Sequence, residues 1–303
     1  MKALTIFTPT YNRGYILHKL YNSLCIQKNQ NFVWLIVDDG STDGTRALIE
    51  NWIAESKIDI KYFHQENGGK MRAYNKGLKE CTTPLFVCVD SDDYLTENAI
   101  SDILNFWHEN YSGEQNVAGM VANRLMVSSS NSKPIETVQL PMGIRSCSMR
   151  DLGQLYGHIG ETSIVFLSTV AKRFPFPEIE GERFITESFI YDQIDYSGFK
   201  FLIYQNPFVF CEYLPDGYTR SRAAIYRDAP LGWAMYFNQQ IKFWKSEISH
   251  KAHLKSLTYY IIMSKLGGRT FADIYNQSSD KSMYFAIAAL LAPYYKYKLM
   301  KLF

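Results

Sequence analysis

Over the first hundred residues, short apolar runs alternate with stretches whose apolar positions recur every three or four residues. Leu4–Thr8, Phe32–Val37, Ile58–Phe63 and Leu85–Val89 are brief apolar runs bounded by Pro, Gly, Asp or Asn, the pattern of strands covered on both faces. Gly14–Gln27 carries Ile16, Leu17, Leu20 and Leu24 on one helical face, and Asp43–Ala54 does the same with Leu48, Ile49, Trp52 and Ile53. Gly69–Glu80 is a helix opened by a double glycine, and Ala99–Trp107 another. This alternation predicts an α/β fold: a doubly wound, mostly parallel sheet flanked by helices.

After Trp107 the pattern loosens. Val117–Val127 reads as a strand, Ser128–Lys133 as a loop and Thr162–Leu167 as a strand. Phe174-Pro175-Phe176-Pro177 breaks the chain, Phe184–Ile194 reads as a helix, and Phe199–Tyr204 and Phe208–Tyr213 as strands. From Leu231 onward the chain is helical and aromatic. The expected organisation is one domain over residues 1–222, in halves 1–110 and 111–222, followed by a helical C-terminal extension over 223–303.

Composition bounds the function. The 303 residues are 47% hydrophobic and 20% charged, which suits a globular core and excludes a disordered chain. A net charge of +2 argues against a general nucleic-acid binder. Its distribution is uneven, because from Ile241 onward ten lysines and arginines face three acids. The five cysteines are scattered, with no CxxC, and suit free thiols in a reducing compartment. MKALTIFTPT runs straight into a strand without a signal-peptide core, so a cytoplasmic protein is expected. Met283–Phe303, MYFAIAALLAPYYKYKLMKLF, interleaves Tyr, Lys, Leu and Phe. That suits peripheral contact with an anionic membrane surface, or equally a helix packed on the preceding domain.

The candidate chemistry gathers at the predicted strand ends, where ligands of open α/β sheets bind. The first end gives Thr8-Pro9-Thr10-Tyr11-Asn12-Arg13, the second Asp38-Asp39-Gly40-Ser41, the third Gln65–Lys70 and the fourth Asp90-Ser91-Asp92-Asp93. A glycine pair opening a helix offers free N–H groups to an anion such as phosphate, with Lys70 and Arg72 adding charge. Nearby carboxylates suit a divalent cation whose shell phosphates complete. Taken singly, each motif is also an ordinary turn or helix cap; Asp93, for one, would cap the helix that follows.

TPTYNR, VDDGSTDGT, QENGGKMRAYNKG and VDSDD, in this order, resemble the N-terminal half of family 2 glycosyltransferases. The resemblance is specific over residues 1–100 and thinner through Gly181–Arg222. It implies the GT-A fold, an inverting mechanism and a nucleotide-diphosphate sugar donor, most typically a UDP-sugar. The acceptor would be a glycan or lipid-linked molecule of cell-surface polysaccharide synthesis. Residues 1–110 would then be the nucleotide-sugar-binding half and 111–222 the acceptor side.

By position, Asp39 would read the base, Thr8, Tyr11 and Arg13 would line the nucleotide pocket with Gly69 and Lys70, and Asp90 would lie near the ribose. Asp92 would hold Mn²⁺ or Mg²⁺ against the diphosphate, while Asp93 orients the sugar or the metal shell, or caps the next helix. Inversion needs a general base. Thr186-Glu187-Ser188 stands where many relatives carry Thr-Glu-Asp, so Glu187 is the base candidate, with Glu182, Asp192 and Glu161 in reserve. The serine also leaves open a non-catalytic, nucleotide-sugar-binding subunit of an assembly complex. A sugar nucleotidylyltransferase fits poorly, since TPTYNRGY is not the Gly-rich loop such enzymes use.

Overall fold

The computed structural model describes residues 2–127, 138–158, 160–212 and 226–300, the side chains of 298–300 excepted. The expected loop Ser128–Lys133 and the end of the expected strand at Tyr213 lie outside the described residues. The chain divides into two compact units, Met1–Pro175 with Gln193–Pro215, and Phe176–Asp192 with Asp216–Phe303.

The first unit begins as the sequence pattern predicts. β1 (Leu4–Thr10), α1 (His18–Cys25), β2 (Phe32–Asp38), α2 (Thr45–Glu55), β3 (Ile60–His64), α3 (Lys70–Glu80) and β4 (Leu85–Cys88) alternate strictly. β5 (Tyr94–Leu95), α4 (Ala99–Asn110), β6 (Val117–Val127), β7 (Ser146–Cys147) and α5 (Met149–Gln154) follow. Then come β8 (Thr162–Leu167), α6 (Ser168–Ala171), α7 (Ser188–Tyr196), β9 (Lys200–Ile203) and β10 (Val209–Glu212), with the division between the units falling inside α7.

The strand order is β3-β2-β1-β4-β8-β6-β10-β5, with β9 also beside β6 and β7 beside β9. β3, β2, β1 and β4 are parallel, so their carboxyl ends share one edge. β8 inserts antiparallel between β4 and β6. Beyond it β6 pairs in parallel first with β9 and then with β10.

Both faces of the parallel section are covered, which is why its strands read as unbroken apolar runs. On one face Leu4, Ile6, Trp34, Ile36 and Val87 join Leu20 and Leu24 of α1, Ile49 and Trp52 of α2, and Ile100 and Ile103 of α4 in one cluster. Tyr21 and Trp52 stack at 4.2 Å within it. On the other face Phe7, Phe86 and Tyr74 of α3 pack ring to ring. Gly77 brings α3 onto β1: a Cβ there would lie 2.3 Å from Cε2 of Phe7, so only glycine allows this approach.

Differences from the sequence reading are local. α1 starts at His18 rather than Gly14 because the Arg13 carbonyl takes the N–H groups of both Ile16 and Leu17 and holds the intervening residues in turns. The two-residue strands β5 and β7 are too short for any periodicity to announce them.

The second unit contains α8 (Pro230–Trp244), α9 (His250–Leu266), α10 (Phe271–Gln277) and α11 (Met283–Met300). Its core joins Ala234 and Ile241 to Leu257, Ile261 and Ile262, and to Ile274, Phe285 and Ala288. The sequence reading placed the boundary at 222/223, whereas residues 176–192 pack with these helices. The Glu182 carboxylate accepts the N–H groups of Leu231 at 2.6 Å and Gly232 at 2.7 Å, and Gln239 donates to the Phe189 carbonyl at 2.8 Å. Among the described residues no helix is long and apolar enough to cross a membrane.

Candidate active site

The parallel register sets Thr10 beside Asp38 and Asp38 beside His64, so three strand ends meet in one row. Asp38 is spent on structure: its carboxylate takes the Ser41 N–H and the Tyr62 hydroxyl, each at 2.8 Å. Asn12, at φ 52°, ties the first loop to the second by accepting the Thr42 N–H at 2.8 Å. Gly40 allows Asp39 to turn back over the sheet, with φ at +86° and the Asn67 backbone against its α-carbon.

Asp39 is the acid around which the third loop is built. Its Oδ1 accepts from Gln65 Nε2 at 2.7 Å and from the Gly68 N–H at 2.9 Å, and its Oδ2 from the Gly69 N–H at 2.7 Å. The Asp39 carbonyl takes Asn67 Nδ2 at 2.8 Å. This corrects the expectation that Gly68 and Gly69 offer free N–H groups to a phosphate. The carboxylate of Asp39 already fills that cradle and caps α3 from outside the helix. An ionised carboxylate has about four acceptor positions, so one on Oδ2 is left for a ligand donor.

A second correction concerns Thr8. Its side chain is fully buried and its hydroxyl accepts the Trp34 indole N–H at 3.0 Å, so it is committed to bracing β1 against β2. Thr10, two residues on, has a buried hydroxyl with no hydrogen-bond partner among the described residues. Tyr11 is 47% exposed, and Arg13 hydrogen-bonds the Tyr15 hydroxyl at 2.5 Å.

The three acids after β4 divide sharply. Asp90 pairs with Lys70 Nζ at 2.7 Å, and Arg124 Nη1 stands 3.6 Å from its other oxygen. Burial alone would raise the Asp90 carboxyl, but the charges of Lys70 and Arg124 outweigh it and hold the group below the usual range. Asp93 is 2% exposed and takes Arg124 Nη1 at 2.8 Å. Burial still pushes it up to about 7 against the pull of Arg124. The Cys211 thiol beside it is raised to about 12 by burial and by the charge of Asp93. Asp92 differs from both, having no ion pair with any described lysine or arginine. Burial, then the charge of Asp90, raises its pKa, with Arg13 and Lys70 opposing from a distance.

Arg124 was absent from the sequence reading. Its signal was available: it is the only charged residue in the apolar strand VAGMVANRLMV. Such a charge persists in a sheet only when paired. Cys211, on β10, left no comparable trace.

The second unit holds three of the four candidate bases. Glu187 is exposed, and its carbonyl accepts the Ile190 and Tyr191 N–H groups at the start of α7. Glu182 is committed to the N-terminus of α8, as described above. Asp192 accepts from Gln240 Nε2. Glu161, in the first unit, is exposed and contributes its carbonyl to the Arg124 N–H at 3.0 Å.

No group of three His, Cys, Asp or Glu among the described residues could hold a metal ion alone. The donor set suits instead a cation shared with a phosphate-bearing ligand. Asp92 is a carboxylate with no ion pair among the described residues and with its charge disfavoured where it stands, and a cation would relieve that.

Acids at the carboxyl ends of parallel strands, one of them gripping a glycine-opened helix, stand at the edge where open α/β sheets bind their ligands. The chain belongs to glycosyl transferase family 2, whose model matches residues 5–165. The fold is the expected GT-A type. It is shared with Staphylococcus aureus TarS 1-349 in complex with UDP-GlcNAc, at TM-score 0.60 and 15% identity over 97% of this chain and 92% of that one. It is shared too with the mannosyltransferase PcManGT of Pyrobaculum calidifontis, in complex with GDP-Man and Mn²⁺, at TM-score 0.53 and 16% identity over 97% and 87%.

Among curated proteins, the chain is 33% identical to a teichoic acid poly(glycerol phosphate) polymerase of Staphylococcus epidermidis, over 40% of this chain and 16% of that protein. It is 30% identical to the poly(ribitol-phosphate) beta-N-acetylglucosaminyltransferase TarS of S. aureus, over 37% and 20%. An uncharacterized glycosyltransferase of Rickettsia conorii is 36% identical over 35% and 17%. The matches thus span a fifth or less of these relatives' length.

Proposed function

We propose that this chain is an inverting glycosyltransferase that moves a sugar from a UDP-sugar to a glycan or lipid-linked acceptor during cell-surface polysaccharide synthesis. It would work in the cytoplasm, peripheral to a membrane. The observation that carries this reading is the linked set Asp39, Lys70, Asp90 and Asp92 at one edge of the parallel sheet, in a chain of glycosyl transferase family 2. TarS was solved with UDP-GlcNAc, which makes that molecule the first donor to test.

In this reading Asp39 uses its remaining acceptor position for the uracil N3–H, and Tyr11 and Arg13 line the base pocket. Lys70 leaves Asp90 for the diphosphate, freeing Asp90 for the ribose. Asp92 holds Mn²⁺ or Mg²⁺, which when bound neutralises the charge gathering on the departing diphosphate. Arg124 keeps Asp90 and Asp93 in place. Glu187 takes the proton of the acceptor hydroxyl.

The test is calorimetric titration with UDP-, GDP- and dTDP-sugars, with and without Mn²⁺, alongside UDP release from UDP-GlcNAc. Tight binding of a UDP-sugar that depends on Mn²⁺, lost in Asp92→Asn with the melting temperature unchanged, supports the assignment. Equal binding by Asp92→Asn removes the metal role. Ser188 in place of the usual acid favours a second reading, a non-catalytic nucleotide-sugar-binding subunit. That reading gains if the protein binds donor yet its UDP release is at background both with Glu187 and with Glu187→Gln.

A further inference from the structure

Two polar side chains of the first unit are buried close together with their hydrogen-bonding capacity unused. Asn123 is 2% exposed and His158 is 7% exposed. Asn123 Oδ1 and both ring nitrogens of His158 have no hydrogen-bond partner among the described residues. One short segment joins the pair. Gln139 Oε1 accepts from Asn123 Nδ2 at 3.4 Å. A Cβ added at Gly160 would meet His158 Nε2 at 3.2 Å and the carbonyl of Val138, the residue before Gln139, at 3.5 Å. Unpaired polar atoms are costly to bury, and rare enough in a folded protein to need a reason.

The strand register places them. Phe86 packs on Tyr74 of α3 and pairs with Phe166 of β8. Successive residues of a strand alternate faces, so Ile164 and Thr162 share the face of Phe166, and so does Asn123, the partner of Thr162 on β6. Arg124, the next residue, turns the other way. Asn123 is therefore on the face from which α3 sends Lys70 to Asp90. Only β8 separates β6 from β4, a distance of about 10 Å across the sheet. Along the strand order the pair lies beyond Asp90 and Asp92, on the side away from Asp39.

The unused atoms define the ligand. Asn123 Oδ1 only accepts, while a neutral imidazole offers one acceptor and one donor. A phosphate or carboxylate brings acceptors alone, and a metal ion brings nothing for an N–H to bond. Neighbouring hydroxyl groups both give and accept, and so satisfy all three atoms. We infer that Asn123 and His158 form a polyol subsite, which binds hydroxyls of the sugar or alditol that receives the glycosyl group. Its role toward the acceptor rests on the proposed glycosyl transfer; its binding of hydroxyls does not.

The test is NMR of the histidine Cε1–Hε1 signals of the full chain, with the His158 signal identified by its absence from His158→Leu. Glycerol, ribitol, methyl glucoside and N-acetylglucosamine are added in turn, with UDP and Mn²⁺ present. The expected result is a saturable shift of the His158 signal with at least one of them, at an affinity about tenfold weaker in Asn123→Leu. Each variant replaces an unsatisfied buried group by an apolar one. Both should therefore keep or raise the parent's melting temperature and leave calorimetric UDP binding unchanged. A melting temperature that falls in both variants makes the pair structural and overturns the inference. So does equal affinity in Asn123→Leu, or no shift with any of the four, which leaves a buried water as the occupant. A shift produced by UDP-GlcNAc but not by UDP gives the pair to the donor sugar and overturns the acceptor role. If UDP fails to bind while a polyol still shifts His158, the donor reading falls and the subsite stands.

Discussion

Arg124 Nη1 lies 2.8 Å from Oδ2 of Asp93, a carboxyl that burial has already pushed toward neutrality. The same nitrogen stands 3.6 Å from Asp90, so one guanidinium from β6 holds two acids that follow β4. Removing it leaves the buried Asp93 without a counter-charge and Asp90 with Lys70 alone. Arg124→Met should therefore destabilise the protein by about 3 kcal/mol, the usual cost of breaking a buried pair from one side. In a double-mutant cycle with Asp93→Asn, the two losses should fall short of additive by about 1–3 kcal/mol. Urea unfolding of the four proteins measures it, and strict additivity would mean that the contact carries no coupling.

Asp39→Asn should weaken two things at once. The amide presents N–H groups to Gly68 or Gly69, so a donor faces a donor and the start of α3 loses about 1–2 kcal/mol. Under the proposed function UDP affinity falls with it. Thermal unfolding and calorimetry on the same samples check the pair. A variant that loses stability but binds UDP unchanged would confine Asp39 to capping.

Glu182→Gln separates a cap from a base. Its carboxylate takes two N–H groups at the start of α8. The substitution should cost about 1–2 kcal/mol of stability and leave UDP release from donor intact. A collapse of turnover without any loss of stability would return Glu182 to the list of candidate bases.

Asp280 supplies a pH dependence with a clear sign. It is 3% exposed and bonded to Lys245 at 2.8 Å, His253 at 2.7 Å and the Ser282 N–H at 2.7 Å. Burial raises its carboxyl, but the hydrogen bonds from Lys245, Ser282 and His253 outweigh burial and hold it well below the carboxylate range. A group lowered on folding stabilises above its unfolded value, about 3.9, and that stabilisation is lost as pH falls below it. Asp280→Asn should thus cost about 2 kcal/mol at pH 7, and the difference from the parent should shrink as pH drops below about 4. Denaturant titrations across that range measure it.

The alternation of the first hundred residues was legible because strands buried on both faces need unbroken apolar runs, and the helices between them need one apolar stripe. The acids were legible as well, since Asp39 and Asp90–Asp93 stand where no core wants them. Their division of labour was not. Which acid stays free depends on Arg124 and Lys70 arriving from other strands and helices, and the motif spacing says nothing of that. Thr8 misled for a related reason. At a strand end a small hydroxyl looks available, but the side chain's face is set by the pairing register, and that register turns it toward Trp34. The grouping of residues 176–192 with the C-terminal helices was not legible, because it comes from contacts such as that of Glu182 with the start of α8, between segments about fifty residues apart in the chain.

Gly77 leaves no room for a side chain between α3 and Phe7, so this helix and the central strand are packed as one body. The start of that body is gripped by Asp39, and its first residue, Lys70, reaches Asp90. The spacing of Asp39 and Asp90 is therefore set by the core rather than by a loop. Under the roles proposed for them, that spacing matches the nucleoside, the part that mono-, di- and triphosphates share. A change of base should then weaken competition for the site more than a change of the attached sugar.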